Sequence, residues 1–374
     1  MSSKMIIEII TTENTNLKET GFGVHASCMN VLESVERIHS ARVTVCSSLS
    51  DLSRVLGRKP DLVFLAAKYI PVEGGSDIWF SDYFDKNGIT FSGSNRETLK
   101  YDSNKVLAKK RLESIGVKTA GYFTAIPGQF KKGQNLPLLF PLFLKPLDAA
   151  NGNGIDDHSF VKNFVEFEAK LASLYEAYDS PVLVEEYLGG KEFTVALIKK
   201  SNGELITSAI EILPPESGDG LRILGAAVKK FDTENLMTIH PNDIEKVTEL
   251  AVAAFRGLGV RGFARIDVKM DSNGHCFFLE ANLVPGMTVG SSYFPRACEI
   301  ANDLTYDAVI CLMLDECLRR AAARLELAKL SKDGISRLRR LAGSPKYAIG
   351  EKRHWRVSAF PESGHSKGID KLTS

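Results

Sequence analysis

The sequence lacks most of the features that would place it outside the ordinary globular proteins. None of its apolar runs approaches about eighteen residues, so we expect no membrane-spanning helix and no membrane partner. The N-terminal apolar run is too short for a signal peptide. The six cysteines form no C-x-x-C pair and no disulfide-like spacing, which is typical of reduced thiols in a cytoplasmic protein. Walker A and H-E-x-x-H motifs are also absent, as are internal repeats.

A large excess of charge of either sign is lacking too. The net charge is +1 over 374 residues, which argues against nucleic acid as the main partner. Apolar residues make up 44% and charged residues 25% of the chain, as in globular proteins generally. The length predicts two or three domains with ample chain for a large core.

Short apolar strands alternate with helical patterns in the first hundred residues. The predicted strands cover residues 5–11, 41–46, 61–67 and 88–91, and the predicted helices cover 24–38, 49–56 and 78–84. Such alternation predicts a doubly wound α/β unit with a parallel sheet. No G-x-G-x-x-G follows the first strand, so a dinucleotide site is not favoured.

Two strand-like runs, 264–270 and 275–281, flank the turn-forming sequence Asp-Ser-Asn-Gly and predict a β-hairpin. Side chains alternate along a strand, so Arg265 and Asp267 share one face, and Glu280 and Asn282 share one face of the partner strand. If the strands pair in register, a guanidinium, two carboxylates and an amide converge. Oxygen ligands of this kind suit Mg²⁺ bound to nucleotide phosphates. The alternative is a surface hairpin with charged outer faces.

A second candidate anion site follows the apolar strand predicted at 140–145. Lys145 ends that strand, and the small residues and glycines of 149–154 come directly after it. Small residues allow backbone N–H groups to approach phosphate oxygens, and a lysine adds positive charge. The alternative is a turn without a ligand. Lys105 lies on a helix predicted at 94–115, where a solvated lysine is the alternative to a phosphate ligand.

Four short motifs, in this order, resemble the catalytic segment of ATP-grasp ligases, and among these the D-alanine–D-alanine ligases. They are Arg265-Ile266-Asp267, Leu279-Glu280-Ala281-Asn282, Pro285-Gly286-Met287-Thr288 and, after a serine, Phe294-Pro295. The resemblance implies the fold class: α/β, with an N-terminal doubly wound parallel domain (1–100) before a two-lobed α+β ATP-grasp domain. The central lobe would span 101–184 and the catalytic lobe 185–328. We also expect helices at 164–178, 243–258 and 302–327.

The resemblance further implies ATP-dependent joining of a carboxylate to an amine through an acyl phosphate. Two Mg²⁺ ions, with Mn²⁺ as an alternative, would be held by Asp267, Glu280 and Asn282. The tetrahedral intermediate would be stabilised by Arg265 and the Gly286 N–H, and the amine-side substrate would be held by either Ser291 or Ser292. The implied ATP ligands are Lys105, Lys145, Glu185, Glu186, the backbone of Leu188, Glu192, and either Lys229 or Lys230.

The resemblance fails at the acid-side pocket. The ligases carry an early glutamate in an E-x-S-like segment and an H-G-x-x-G-E-D-G loop, whereas residues 22–27 and 67–77 here match neither. Asn151 stands about where the family has a serine, and residues 222–228 replace a tyrosine-rich loop. His25, in the first of these stretches, is our candidate substrate ligand there. We therefore expect an α-amino acid on the amine side and an acid that need not be D-alanine.

Other interpretations stay open at this point. The chain could be a D-alanine–D-alanine ligase proper of cell-wall synthesis, an ATP-grasp phosphotransferase, or a nucleotide-binding regulator without chemistry. The expected partners are small-molecule amino-acid substrates, with a homodimer as an open alternative. Residues 329–374 form a basic polar tail outside the resemblance, interpreted as an extra helix with a disordered end or as a contact for an acidic partner.

Overall fold

The computed structural model describes residues 4–13, 25–131, 136–147, 149, 152–218 and 220–342, with side chains as far as Glu326 except that of Leu325. The chain divides into two compact units, Met1–Ala323 and Arg324–Ser374. In the described part of the chain, no helix has the length and apolar character needed to cross a bilayer.

The first part of the larger unit is a parallel four-stranded sheet with strand order β2-β1-β3-β6. Its elements are β1 (Ile6–Thr11), α1 (His25–Glu36), β2 (Ser40–Val45), α2 (Leu49–Gly57), β3 (Leu62–Leu65), β4 (Tyr69–Ile70), β5 (Ile78–Trp79), α3 (Phe80–Lys86) and β6 (Thr90–Phe91). Ile7 and Ile9 of β1 pack in one apolar cluster, and Ile10 packs in another. Burial on both faces is the reason for the nearly continuous apolar run of this strand. The predicted parallel sheet is confirmed.

A second, antiparallel sheet has strand order β7-β10-β8-β9 and packs against a helix. The elements are α4 (Arg96–Ser103), α5 (Lys105–Glu113), β7 (Tyr122–Ala125), β8 (Leu142–Pro146), a 3-10 turn (Asp157–Ser159), β9 (Phe160–Val161), α6 (Phe164–Tyr178) and β10 (Val182–Glu186). The helix predicted at 94–115 was wrong as a single element. Asn104 is extended and its side chain accepts a hydrogen bond from Leu107 N, so it ends one helix and caps the next.

The third sheet has five antiparallel strands in the order β13-β12-β11-β14-β15. The elements are β11 (Glu192–Lys199), β12 (Leu205–Leu213), α7 (Ala226–Phe231), β13 (Asn235–Thr238), α8 (Pro241–Gly257), β14 (Phe263–Met270), β15 (Cys276–Asn282), α9 (Tyr293–Asn302) and α10 (Tyr306–Ala342). The helix predicted at 302–327 was wrong in its bounds. Asp303 adopts φ +54° after α9, which ends that helix before α10 begins.

The predicted domain boundaries at 100, 184 and 328 stay predictions. Of the predicted tail, residues 329–342 belong to α10, and residues 343–374 lie outside the described part of the chain.

Candidate active site

The predicted hairpin is confirmed as the β14–β15 pair. The strands are antiparallel, with Arg265 opposite Asn282 and Asp267 opposite Glu280. A shift in register follows Asp267, so the pairing that aligns these four side chains is confined to this end of the hairpin.

The side chains at this end contact one another directly. Arg265 donates two hydrogen bonds to Asp267, from Nε to Oδ1 (3.0 Å) and from Nη2 to Oδ2 (2.9 Å). The amide of Asn282 donates to Asp267 Oδ2 at 3.2 Å, and Thr194 Oγ1 on the neighbouring strand β11 donates to Oδ1 at 2.7 Å. The four residues predicted to converge therefore do so, and Asp267 lies at the centre of the cluster.

Glu280 completes the cluster and faces a ring of positive charge. Its carboxylate lies 3.7 Å from Lys105 Nζ and 3.9 Å from Arg265 Nη2. Burial opposes ionisation of Glu280, but Lys105, Lys229 and Lys145 together lower its pKa below the usual range. Burial instead raises the pKa of Asp267, and the Arg265 guanidinium opposes that rise. Positive charge therefore already balances Glu280, whereas burial and the neighbouring Glu280 disfavour the charge on Asp267, which a bound cation would stabilise.

The donor set fits a hard divalent cation. Two carboxylates and an amide oxygen are the ligands that Mg²⁺ takes in nucleotide sites, where it keeps waters and phosphate oxygens as its remaining ligands. Asn282 Nδ2 lies 3.2 Å from Asp267 and 3.5 Å from Glu280, so its amide group is placed between the two acids. A flip of that amide would present its oxygen to the same point.

A second charged cluster lies one sheet away. Glu185 on β10 is 3% exposed, and its two oxygens each lie 2.6 Å from a lysine, Lys109 Nζ on α5 and Lys145 Nζ on β8. Burial alone would raise the pKa of Glu185, but the two ammonium groups lower it to about 2. The structure therefore places Glu185 between two lysines, and its carboxylate orients the predicted phosphate ligand Lys145.

Nine of the predicted site residues line a single pocket beside the hairpin. These are Lys105, Lys145, Glu185, Glu186, Leu188, Glu192, Lys229, Asp267 and Glu280. Glu192 forms an ion pair with Lys269 at 2.9 Å, and Glu186 Oε1 accepts a hydrogen bond from Gly121 N at 2.7 Å. These contacts therefore hold the side chains of Glu186 and Glu192 in position at the pocket wall.

Loops enclose the pocket on the side of the predicted glycine-rich segment. Lys105 Nζ donates to Ala149 O at 3.1 Å, which joins the first turn of α5 to this segment. Gly152 has φ +73°, and a Cβ there would come within 3.2 Å of the backbone at Gly225 and Ala226. Close approach of these two loops requires glycine at position 152. Asn151, noted above as a substitution, lies outside the described residues.

The two candidate lysines of α7 differ in placement. Lys229 lines the pocket, and its charge acts on both Glu280 and Asp267. The Lys230 ammonium lies over the ring of Phe231, 5.5 Å from its centroid, and Lys230 does not line the pocket. The geometry favours Lys229.

The loop between β15 and α9 brings Gly286 next to Ser292. A Cβ at Gly286 would lie 2.8 Å from Ser292 Oγ, which itself accepts a hydrogen bond from Thr288 N at 2.9 Å. Ser292 precedes the first residue of α9, and the backbone nitrogens of Ser291 (3.4 Å) and Ser292 (3.0 Å) both donate to Thr288 O. Ser292 is therefore the serine in contact with the glycine.

The N-terminal sheet reaches this same loop through α1. The Ser27 and Thr288 hydroxyls lie 2.6 Å apart, and Val289 N donates to Asn30 Oδ1 at 3.1 Å. His25 begins α1 and is exposed. The predicted acid-side residues 22–24 lie outside the described part of the chain.

A buried ion pair forms a second link from the N-terminal sheet. Lys68 Nζ lies 2.8 Å from Asp102 Oδ1, and neither side chain is more than 4% exposed. Asp102 Oδ2 also accepts hydrogen bonds from Leu283 N (2.6 Å) and Val284 N (3.3 Å). Through Asp102, the loop after β3 fixes the backbone that leads to Gly286.

Four residues that contact the site were not predicted from the sequence: Lys109, Thr194, Lys269 and Tyr293. A signal existed for Lys269, since it shares the strand face of Arg265 and Asp267 by the two-residue period. Lys109 lies four residues after Lys105, on a neighbouring part of the helix surface. Thr194 and Tyr293 carried no signal, because their positions depend on strand pairing and helix packing.

Known ligases resemble this chain in sequence. The family model described as D-ala D-ala ligase C-terminus matches residues 112–315. A D-alanine–D-alanine ligase A from Mesorhizobium japonicum is 26% identical over 275 residues, covering 72% of this chain and 75% of the relative. A D-alanine–D-alanine ligase from Pseudomonas entomophila is 26% identical over 297 residues, covering 76% of this chain and 87% of the relative.

A solved structure shows the same fold. The D-alanine–D-alanine ligase from Bacillus anthracis complexed with ATP has a TM-score of 0.65 at 22% identity and covers 85% of this chain and 99% of that chain. The predicted fold class, a parallel α/β domain followed by an ATP-grasp domain, is confirmed.

Proposed function

We propose, from the premise that this chain belongs to the family of the D-alanine–D-alanine ligase C-terminus, that it joins an amino-acid carboxylate to the amine of an α-amino acid. It is an ATP-dependent ligase that forms a peptide bond and releases ADP and phosphate. The finer part of the proposal is that the acid-side pocket differs from that of a D-alanine–D-alanine ligase.

The observation that supports the chemistry is the convergence of Arg265, Asp267, Glu280 and Asn282 beside a lysine-lined pocket. In the proposed reaction, a carboxylate oxygen attacks the γ-phosphorus of ATP, and the bond to the leaving ADP breaks. The amine nitrogen then attacks the acyl carbon, loses a proton, and expels inorganic phosphate. Activation by ATP is required because direct condensation in water is uphill.

Lys105, Lys145 and Lys229 supply the positive charge around the phosphates. Phosphoryl transfer depends mostly on positioning and on electrostatic stabilisation of the phosphoryl oxygens. Glu185 holds Lys145, and Glu280 holds Lys105 at 3.7 Å, so the ammonium groups are preoriented. Lys230 is the alternative to Lys229 and is disfavoured by its contact with Phe231.

The adenosine end of the pocket is assigned to Glu185, Glu186, Leu188 and Glu192. The Leu188 backbone is proposed to read the adenine edge, and Glu192 to accept hydrogen bonds from the ribose hydroxyls. Lys269 orients Glu192 at 2.9 Å. The carboxylate of Glu186 is held by Gly121 N, which leaves its second oxygen for the adenine amino group.

Asp267, Glu280 and Asn282 would hold the metal. We propose two Mg²⁺ ions, with Mn²⁺ able to replace them. When bound, such ions neutralise charge on the transferring phosphoryl group and on the leaving oxygen.

Arg265 and the Gly286 N–H are proposed to stabilise the oxyanion that forms when the amine attacks the acyl carbon. Ser292 is proposed to hold the carboxylate of the amine-side substrate, since its hydroxyl lies against Gly286. Ser291, one residue earlier, is the alternative.

The acid side is where the sequence departs from that of the D-alanine–D-alanine ligases. Lys68 occupies the stretch where the family has its histidine-glycine-rich loop, and this lysine is buried against Asp102. Polar groups in a pocket select substrates strongly, because a wrong substrate leaves them unpaired. We therefore propose that the carboxylate substrate differs from D-alanine and that His25 contacts it.

The proposal is tested by a phosphate-release assay over all pairs of D- and L-amino acids and small carboxylic acids, with products identified by mass. A ligase requires both substrates and yields a product one water lighter than their sum. Release with D-alanine alone, at the highest rate in the panel, would identify a D-alanine–D-alanine ligase proper and contradict the altered pocket. Formation of a stable phosphorylated acceptor without free phosphate would indicate a phosphotransferase instead.

A further inference from the structure

Tyr293, the first residue of α9, lies close to two cations of the proposed site. Its side chain is buried, with 8% of the residue exposed. The Arg265 guanidinium carbon is 5.4 Å from the ring centroid, and Lys229 Nζ is 5.9 Å from it. A cation within about 6 Å of an aromatic face is attracted by the ring quadrupole, most strongly where water is excluded.

The contact with the Tyr293 ring leaves the N–H donors of Arg265 available for other partners. Two of its in-plane donors are bound to Asp267. The guanidinium has five N–H donors, so three are left for a substrate oxygen. A ring contact uses the face of the guanidinium and leaves its in-plane N–H groups free. Tyr293 can therefore hold Arg265 in place without consuming the donors that the reaction requires.

The phenol makes a separate contact with the chain between α7 and β13. Tyr293 Oη donates a hydrogen bond to Glu234 Oε1. Among the described residues, Glu234 Oε2 is buried without a hydrogen-bond partner, so the carboxylate depends on this phenol. Burial raises the pKa of Tyr293, and Glu234 raises it further, which keeps the phenol protonated as the donor. Lys229 lies on α7, which ends at Phe231, so residues 226–234 form the segment that joins Lys229 to this contact.

We propose that Tyr293 is a positioning residue of the ligase: its ring holds Arg265, and its hydroxyl holds the segment that carries Lys229. The proposal rests on the proposed function, because Arg265 and Lys229 have roles only in that reaction.

Two substitutions separate the ring from the hydroxyl. Tyr293→Phe keeps the ring and removes the donor to Glu234, so we expect kcat to stay within about threefold while the KM for ATP rises several-fold. Tyr293→Leu removes the ring as well, and we expect kcat to fall about 50-fold, since small misplacements of catalytic groups have effects of about this size. Phe255→Leu removes a similarly buried ring, 2% exposed on α8, and should leave kcat within twofold.

A measurement without turnover keeps the inference separate from the proposed function. Thermal unfolding midpoints would be compared for Arg265→Gln, Tyr293→Leu and the double variant, with Arg265→Gln paired with Phe255→Leu as the control. We expect the losses to be less than additive for the Arg265–Tyr293 pair and additive for the control pair.

Additive losses for the Arg265–Tyr293 pair would overturn the proposal. So would equal losses of kcat in Tyr293→Phe and Tyr293→Leu, or a Tyr293→Leu enzyme as fast as the parent. If the parent makes no product with any substrate pair, the proposed function fails, and the unfolding cycle alone decides whether the ring holds Arg265.

Discussion

The nucleotide side of the site and the contacts that α1 of the N-terminal sheet makes with the loop after β15 are of different kinds, although a buried ion pair, Lys68–Asp102, also links that sheet to the site. Beside the nucleotide pocket, acids and bases are paired: Glu185 with Lys109 and Lys145, and Glu192 with Lys269. Toward the N-terminal sheet, α1 contacts the loop after β15 through neutral groups, as between Ser27 and Thr288.

This difference has a physical cause. Triphosphate and divalent cations carry high charge, so any site that binds them must present opposite charges and keep these paired when the ligands are absent. A small carboxylic acid is distinguished from another mostly by shape and by a few polar groups. Binding of triphosphate and metal therefore requires particular residue types, whereas selection of one acid over another requires a particular pocket shape.

The largest effect is expected at the centre of the nucleotide side. Arg265→Ala should lower the rate of product formation by about 10²- to 10³-fold, because removal of one oxyanion donor costs about 3–4 kcal/mol. Arg265 does not line the nucleotide pocket, so ATP binding should change by less than about threefold. Product formation is followed by mass, and ATP affinity by calorimetry.

Arg256→Ala is the matched control, since it removes an exposed arginine from α8. It should leave both measurements unchanged. An Arg265→Ala enzyme that forms product at the parental rate would remove Arg265 from the mechanism.

A slightly smaller effect is expected on stability at Glu185. Glu185→Gln leaves Lys109 and Lys145 buried without their carboxylate, which should lower the free energy of unfolding by about 3 kcal/mol near neutral pH. The pKa of Glu185 is lowered from 4.5 to about 2, so its stabilising contribution is complete above pH 4.5. The contribution is lost as the pH falls from 4.5 toward 2.

Urea unfolding of parent and variant at about pH 7 and about pH 3 measures this window. The difference in the free energy of unfolding between parent and variant should be smaller at the lower pH. Glu176→Gln, an exposed substitution on α6, should show no difference at either pH. A Glu185→Gln difference that is the same at both values would show that the charge of Glu185 is not the source of the stability.

A smaller effect separates the two lysines of α7. Lys229→Met should lower kcat/KM for ATP about tenfold or more, because hydrogen bonds to charged groups contribute about 1.5–3 kcal/mol. Lys230→Met is the matched control on the next residue and should change kcat/KM for ATP by less than twofold. Steady-state kinetics with ATP as the varied substrate measures both, and the reverse result would assign the phosphate contact to Lys230.

The sequence predicted the hairpin and the residues that share each strand face, but not the register that joins the two faces. The two-residue period placed Arg265 with Asp267 and Glu280 with Asn282. The pairing next to the turn, Met270 opposite Cys276, would set Asp267 opposite Leu279, and only the bulge after Asp267 brings Glu280 opposite it. Strand alternation likewise predicted the parallel sheet at the start of the chain.

The rest depends on packing that a single sequence does not encode locally. The choice between Lys229 and Lys230 depends on α7, a short helix whose orientation follows from contacts with neighbouring loops. The helix break at Asn104 depends on a polar residue being used as a cap, although the apolar pattern continues through it. Tyr293 is an ordinary aromatic in sequence, and only the packing of α9 brings its ring to Arg265.

The smallest effect is expected on the acid side. His25 is exposed at the start of α1, so a contact with the carboxylate substrate should be a single solvent-accessible hydrogen bond of about 0.5–1.5 kcal/mol. His25→Ala should therefore raise the KM for that substrate about three- to tenfold and leave the KM for ATP unchanged. His275→Ala removes another exposed histidine, at the hairpin turn, and should alter neither value. Equal effects of His25→Ala on both substrates would place His25 outside the acid pocket. An effect on the acid alone would instead show that α1, with its neutral contacts to the loop after β15, forms a wall of that pocket.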